Sequence, residues 1–229
     1  MINFQRKLPL WIIACATLVT LLSLCFQAPK WGFWAHRHIN KMAIYRLPLP
    51  MAPFFKEHLD FISENAVNPD KRRYAVVGEA EKHYIDLDAY SDINALPQDW
   101  KSAVLLWGED SLRKHGIAPW NIQLTTDQLT RAFQEKNYSR IIRLAADLGH
   151  YVGDIHVPLH TTKNYNGQLT GQEGIHAFWE SRLPELLAYE YQFWIGPIQY
   201  IDDIPQQVWK AVLQSHAACD SVLRFEREL

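Results

Sequence analysis

The chain has 229 residues, of which 23 are Lys or Arg, 25 are Asp or Glu and 10 are His. That length fits one domain with an appended segment, and a composition that is 48% hydrophobic and 21% charged excludes a disordered or low-complexity protein. A formal net charge of −2 gives no support to a protein that binds polyanions through a basic surface.

A hydrophobic leader comes first in the chain. Arg6 and Lys7 precede an uncharged run from Leu8 to Phe26. A basic start followed by an apolar stretch is typical of an export signal, and about 20 apolar residues also suffice for a membrane anchor. We therefore expect residues 1–30 to be a signal peptide or a membrane anchor, with a buried N-terminal helix as the remaining alternative. Either of the first two predicts an exported body, which is secreted, periplasmic or outward-facing on a membrane.

The body of the chain, residues 31–229, is acidic and almost free of cysteine. The leader holds three basic residues and no acid, so the body keeps 20 basic and 25 acidic groups and a net charge of −5. Of the three cysteines only Cys219 lies in the body. This count excludes an intramolecular disulfide framework and a zinc cluster built on thiolates.

Helical periodicity dominates the body, and the alternation that is typical of strands is scarce. In chain order the predicted helices are Ala35–Leu47, Ala52–Ala66, Gln98–Lys114, Thr126–Glu135 with Thr126 as N-cap, Arg140–Ile155 with Ser139 as N-cap, Gly174–Leu187 and Pro205–Glu228. We expect an irregular segment over 67–97 and a loop over 161–173. The fold prediction is therefore all-α, a single multi-helix domain with long loops over residues 31–229. The last pattern reaches Leu229 without a stop signal, so we expect the natural fold to continue beyond it.

One stretch near the end of a predicted helix contains residues of the types that bind metal ions. His150 and Asp154 are four residues apart, which on a helix puts an imidazole and a carboxylate on one face, where both can bind one metal ion. Pro158 then ends the helix, so His160 projects from a different direction of the backbone and can serve a neighbouring metal.

The same spacing recurs downstream, where His176 and Glu180 lie on another predicted helix. A single pair of this kind is typical of a surface ion pair. Two pairs joined by an extra histidine, in a chain without cysteine pairs, predict a metal site. Nitrogen and carboxylate ligands suit zinc among other divalent metals.

Upstream stretches supply further ligand types in a recognisable order. They are Trp31–His36, Asn68–Arg73 and His83–Asp88. With them, the chain from Trp31 to Arg182 resembles the zinc-dependent phospholipase C superfamily, which also contains the single-strand-specific zinc nucleases. The most specific elements are His-Tyr-Val-Gly-Asp at 150–154 with Pro-Leu-His at 158–160, followed by Gly-Ile-His at 174–176.

The resemblance implies three clustered zinc ions. Their ligands would be Asp70, His83, His150 and Asp154 for the first, His160, His176 and Glu180 for the second, and Trp31, His36 and Asp154 for the third. In the family the Trp is the mature N-terminus and binds through its amine and carbonyl, whereas Pro29-Lys30 is a poor cleavage context here. We also expect Asp86 or Asp88 to orient His83 through its other ring nitrogen.

The function that this resemblance implies is hydrolysis of phosphate esters by metal-activated water. Asp70 and Asp154 are the expected catalytic residues, Asp70 because it would also orient or deprotonate the water and Asp154 because it would bridge two ions. The preferred substrate is a phospholipid, approached with help from the leader, and no protein partner is inferred. The alternatives are a nuclease that stacks single-stranded DNA or RNA on Tyr84, Tyr165 or Phe178, and a non-catalytic zinc-binding envelope protein.

Overall fold

The structure is a computed structural model that describes residues 32–193, 196 and 198–229. Within these ranges the regular structure is helical and no strand is present, which confirms the all-α prediction. Gly32–Leu229 form one compact unit. The predictions for the leader and for Trp31 fall outside the described residues. None of the described helices is both long enough and apolar enough to cross a bilayer.

The α-helices follow the predicted order but are more finely divided. They are α1 (Phe33–Arg46), α2 (Ala52–Glu57), α3 (Leu59–Asn65), α4 (Asn68–Arg72), α5 (Trp100–Trp107), α6 (Glu109–Lys114), α7 (Ala118–Gln134), α8 (Tyr138–Asp154), α9 (Ile175–Ala177), α10 (Leu183–Leu187), α11 (Ile204–Ala217) and α12 (Cys219–Glu228). A π-helical turn over Phe178–Arg182 joins α9 to α10. Short 3-10 turns occur at Ala80–Lys82, Leu87–Ala89, Ile93–Ala95, Pro158–Thr161 and Ala188–Glu190.

Two predicted helix starts are wrong. Helix α7 begins eight residues before Thr126, with Pro119 in its first turn, and the Thr126 hydroxyl donates to the Ile122 carbonyl inside the helix. Buried Trp120 and Ile122 extend the helix because they pack in the core. Helix α8 is capped not by Ser139 but by Asn137, whose side-chain oxygen accepts from the Arg140 N–H.

The segment predicted as irregular is only partly so. It contains α4 and three 3-10 turns. Pro69 lies in the first turn of α4, where its missing N–H costs no hydrogen bond and its fixed φ favours the helix. The predicted loop over 161–173 contains no regular helix after its first residue.

Helix α8 occupies the centre of the fold, in contact with α1, α3, α4 and α7. Its first half joins an apolar cluster of Ile44, Phe55, Ile62, Ala132, Ile141 and Ala146. A larger apolar cluster packs α11 against α7 and against the turns of the 80–96 segment. Its members include Ile85, Leu87, Trp120, Tyr151, Trp209 and Val212. The second half of α8 is therefore enclosed on both sides by packed helices.

Glycines bring α1 and α8 into close contact. A Cβ added at Gly149 would lie 1.9 Å from the Asn40 Oδ1, and one at Gly153 would lie 3.1 Å from His36 Nδ1. The Asn40 side chain donates across this contact to the Ala146 carbonyl at 3.0 Å. The absence of side chains at 149 and 153 thus allows His36 to reach the end of α8.

Candidate metal centre

The first cluster of metal-ligand side chains lies between the end of α8 and the 3-10 turn at 80–82. His83 Nδ1 is 3.0 Å from both Asp154 Oδ2 and His150 Nε2, and His150 Nε2 is 3.2 Å from Asp154 Oδ2. All three side chains are buried. The helical spacing predicted for His150 and Asp154 is realised, since one turn of α8 separates them.

Asp70 reaches this cluster from α4. Its Oδ1 lies 3.8 Å from His83 Nδ1 and 3.9 Å from His150 Nε2. Asp70 can also be grouped with His36 and His150 as a set of ligand atoms within 4.8 Å of one another. Burial raises the pKa of Asp70, although the His150 and His36 charges oppose the shift.

The second cluster joins the turn after α8 to the π-helical turn. His160 Nε2 lies 3.3 Å from His176 Nε2 and 3.6 Å from Glu180 Oε2, and His176 Nε2 lies 2.9 Å from Glu180 Oε2. Each imidazole is oriented by its other nitrogen, because His160 Nδ1 pairs with the His83 carbonyl and His176 Nδ1 with the Tyr165 carbonyl. Both Nε2 atoms therefore face the same point.

The third cluster bridges the other two. His36 Nε2 lies 3.4 Å from Asp154 Oδ1 and 3.7 Å from Glu180 Oε1. Asp154 thus offers one oxygen to the first cluster and the other to the third. Glu180 likewise faces both the second and the third, a bridging position that the sequence analysis missed because it depends on tertiary contact.

Gly32 lies directly against this third cluster. Its φ is +68°, a left-handed conformation that favours glycine, and an added Cβ would lie 2.7 Å from Glu180 Oε1. Its backbone N–H donates to Ser181 Oγ at 2.5 Å. Trp31, the remaining expected ligand, lies outside the described residues.

The electrostatics of the clusters favour a bound cation. Burial opposes charge on His36, but its contacts with Asp154 and Glu180 outweigh burial and raise the pKa of His36 to about 10. The pKa of His160 is raised to about 9 against the same opposition from burial, by Asp154 and Glu180. The pKa values of both carboxyls are held well below their usual range, although burial acts in the other direction. The carboxylates therefore stay ionised and need positive charge beside them, which protonated His36 and His160 or a bound cation can supply.

One buried polar atom without a partner points to the same conclusion. Within the described part of the chain, Asp154 Oδ1 is buried without a hydrogen-bond partner, and it faces the third cluster. His36 Nδ1, His83 Nε2 and His150 Nδ1 also have no partner, but they are the ring nitrogens that face away from the clusters. A buried carboxylate oxygen without a donor is costly unless a cation occupies its lone pair. Burial also lowers the pKa of His150, which favours the neutral imidazole that binds metals. These buried groups could hold a metal ion.

One expectation about the surroundings of His83 is wrong. Asp86 faces His115, with 3.6 Å between Asp86 Oδ2 and His115 Nδ1. Asp88 accepts from the Thr162 hydroxyl and the Lys163 backbone N–H. Neither carboxylate orients His83, because the 3-10 turn at 87–89 directs this segment toward the loop after His160.

A polar network behind the first cluster was also missed. Arg72 pairs with Asp147 at 3.0 Å and with Glu79 at 3.1 Å, and the Tyr151 hydroxyl donates to Glu79 at 2.5 Å. The Tyr151 ring meets the His83 ring edge to face, with 5.5 Å between centroids. The network ties α4, which carries Asp70, to α8. The sequence offered no local signal for this network, because Arg72 and Asp147 are far apart in the chain and Arg72 and Glu79 have no distinctive spacing.

Exposed groups form the rim of the site. The Asp70 and His176 side chains are 18% and 13% exposed, and the other described residues of the three clusters are more buried. Arg73 Nη1 lies 4.0 Å from Asp70 Oδ1, and the half-exposed Tyr165 ring meets His176 edge to face at 6.1 Å. Among the described residues of the three clusters, the Asp70 and His176 side chains therefore have the most access to solvent.

No protein-family model, curated protein or solved structure matches this chain. The resemblance to the zinc-dependent phospholipase C superfamily accordingly stays a prediction from the motifs of the sequence.

Proposed function

We propose that the chain is a zinc-dependent hydrolase of phosphodiester bonds, similar to phospholipase C. The observation that carries the proposal is that three adjoining groups of buried histidines and carboxylates share Asp154 and Glu180. Adjoining sites with shared carboxylates suit two or more divalent ions held close together, an arrangement used for phosphoryl transfer. A site for a single structural ion would not need shared ligands.

Zinc is the proposed metal because of the ligand types and their spacing. Tetrahedral zinc takes imidazole nitrogen and carboxylate oxygen at about 2.0–2.2 Å, which puts neighbouring ligand atoms about 3.3–3.6 Å apart. In the first and second clusters the His–His and His–carboxylate distances are 2.9 to 3.9 Å. The count of three ions, and Trp31 as a ligand of the third, rest on the resemblance.

The chain's own residues would divide the work of hydrolysis. Bound zinc would supply Lewis acidity toward the phosphate and lower the pKa of an attacking water. Asp70 is the carboxylate of the cluster with most access to solvent, so it is the one best placed to orient or deprotonate an attacking water. The ionised carboxylates of Asp154 and Glu180 would hold the imidazoles of His36 and His160 in position.

Turnover of a soluble phosphodiester tests the proposal. Purified full chain with zinc should hydrolyse bis-p-nitrophenyl phosphate, and a chelator should abolish the reaction in parallel with loss of zinc measured by mass spectrometry. Restored zinc should restore turnover. Zinc-replete protein without any turnover would contradict the proposal and favour the non-catalytic zinc-binding alternative.

A single-strand nuclease is the second candidate, and one observation favours it. The Tyr165 ring is half exposed beside His176, where a base could stack as the phosphate enters the site. The acidic charge of the body opposes nucleic-acid binding, although bound metal would compensate it locally. Zinc-loaded protein assayed in parallel on phosphatidylcholine and on single-stranded DNA and RNA separates the two.

Export of the protein is part of the proposal and rests on the leader alone. Mass spectrometry of the mature N-terminus decides between cleavage and anchoring. Cleavage directly before Trp31 would supply the free amine that the third site requires, whereas an internal Trp31 would remove that ligand.

A further inference from the structure

A small projecting loop, Tyr74–Gly78, separates two ligands of the first cluster along the chain. We call it the 74–78 loop. Tyr74 is 85% exposed, Val76 is about half exposed and Val77 is fully exposed. Gly78 turns the chain back with a φ of +82°. These apolar side chains next to the proposed catalytic centre are not buried by the rest of the protein, so they are available to a partner.

The shape of the loop is fixed at its base. The backbone N–H groups of Ala75 and Val76 both donate to the Arg72 carbonyl at 2.8 Å, and the Glu79 N–H donates to the Val76 carbonyl at 3.2 Å. Glu79 itself is buried and pairs with Arg72 on one side and with Lys82 at 2.9 Å on the other. These bonds present the apolar tip in one orientation.

The loop lies at the rim of the site. Arg73 joins it to the site, since its guanidinium lies 4.0 Å from Asp70 Oδ1 and 5.8 Å from the centre of the Tyr74 ring. Asp70 is in turn the most exposed of the described cluster ligands. Arg73 and Tyr74 therefore connect the loop to the Asp70 side of the metal centre.

Charge around the loop has the opposite sign to that of the rest of the body. Residues 71–82 contain four basic and two acidic side chains, whereas residues 31–229 have a net charge of −5. Both acids are paired: Glu79 binds Arg72 and Lys82, and Glu81 binds Arg113 at 3.2 Å. Arg73 lies 4.0 Å from Asp70, so the positive charge at the base of the loop comes mainly from Lys71, and it favours an anionic surface.

A lipid surface fits this loop better than a nucleic acid or a protein. Val76 and Val77 have no π face on which a base could stack, so Tyr74 is the one exposed side chain of the loop that suits a nucleic acid. Three exposed side chains at a loop tip are also far short of the roughly 800 Å² per partner that a standard protein interface buries. Apolar side chains with basic neighbours are the usual composition of segments that insert at the membrane interface.

We infer that the 74–78 loop inserts Val76 and Val77 into a phospholipid bilayer and so brings headgroup phosphodiesters to the metal centre. This inference rests on the proposed function and names its substrate class, phospholipid in a membrane. Tyr74 would lie at the headgroup level, where amphipathic rings are favoured, and Lys71 and Arg73 would contact anionic headgroups.

The depth of the loop in a bilayer is measurable with an introduced tryptophan. Val77→Trp in the full chain is compared with the parent on vesicles of phosphatidylcholine and phosphatidylglycerol whose acyl chains carry bromine. The parent and the variant share Trp11 and the other native tryptophans, so the difference between their emission spectra reports the added tryptophan alone. We expect the added emission to shift to the blue and to be quenched. The matched control is Leu105→Trp, at an equally exposed site on α5, which should show neither effect. An unchanged Val77→Trp emission would overturn the inference, as would a response to single-stranded DNA instead.

A second pair of variants links insertion to catalysis. In Val76→Ser/Val77→Ser the ratio of phosphatidylcholine hydrolysis on vesicles to hydrolysis of soluble bis-p-nitrophenyl phosphate should fall about tenfold. In Leu105→Ser/Leu106→Ser, which removes an exposed apolar pair elsewhere, the ratio should stay at the parental value. Equal ratios in both variants and the parent would overturn the inference. A parent that hydrolyses no phosphodiester would refute the proposed function instead, while the fluorescence still reports on insertion.

Discussion

The two halves of helix α8 bury very different side chains. In the first half Ile141 and Ala146 pack into an apolar cluster with α1, α3 and α7. In the second half His150 and Asp154 are buried as completely, yet both are ligand types that carry or accept charge. Apolar burial stabilises a helix without further partners, whereas a buried carboxylate requires compensating charge. The first half of α8 therefore stabilises the fold, and the second half supplies ligand-type side chains to the candidate metal centre.

The largest expected effect comes from the buried carboxylate of the second half. Asp154→Asn removes the charge that faces both the first and third clusters, so phosphodiester hydrolysis should fall about a thousandfold, which corresponds to about 4 kcal/mol. Metal content measured on the same sample should fall with it. Asp110→Asn, which removes an exposed carboxylate of α6, is the control and should change neither. Full metal content and activity in Asp154→Asn would refute its bridging role.

A cavity in the first half should act on the fold alone. Ile141→Ala deletes a nearly inaccessible side chain and should lower the free energy of unfolding by about 3 kcal/mol. Because Ile141 lies more than two helical turns before His150 on α8, the loss measured by urea denaturation should be the same with zinc and with chelator. A loss that depended on zinc would show that the two halves of α8 are coupled.

The close contact between α1 and α8 at Gly149 can be tested by adding a side chain there. Gly149→Ala would place a methyl group against the Asn40 amide and should cost about 2 kcal/mol, despite the better helix propensity of alanine. The double variant Asn40→Ala/Gly149→Ala supplies the control. In the Asn40→Ala background the same glycine substitution should cost little, because the obstructing amide is gone. An equal cost in both backgrounds would show that the contact is not the cause.

The smallest effect concerns the network behind the first cluster and depends on pH. Burial would raise the pKa of Glu79, but hydrogen bonds from Tyr151 and Lys82 and the charge of Arg72 outweigh it and lower the pKa. A lowered pKa stabilises the fold above the ordinary glutamate value, and this stabilisation is lost as the pH falls through the lowered one.

Glu79→Gln should therefore destabilise the protein by about 1 kcal/mol near pH 7, and the difference from the parent should shrink as the pH falls below the ordinary glutamate pKa of 4.5. Urea denaturation of both proteins across this range measures it. Lys101→Gln, at an exposed site on α5, is a control that should show no such trend. A difference that grows with acidity would contradict the assigned shift.

Local patterns predicted most of the helices and the grouping of the ligands. The period of apolar residues identified α1 and α8, and the four-residue spacing put His150 beside Asp154 and His176 beside Glu180. The start of α8 was wrong because Asn137 and Ser139 are both good N-caps. The start of α7 was wrong because this helix begins without a side-chain cap, and packing of Trp120 and Ile122 decides how far it extends.

The all-α class and a set of ligand-type residues follow from local sequence patterns, because both depend on spacing within one helix or on residue type. Tertiary packing establishes that Glu180 also faces His36, that Asp86 turns away from His83, and that Arg72 ties α4 to α8. These relations join residues that are far apart in the chain. Their distances follow from how closely the elements pack, and for His36 this depends on Gly149 and Gly153 of α8, whose missing side chains leave room for α1.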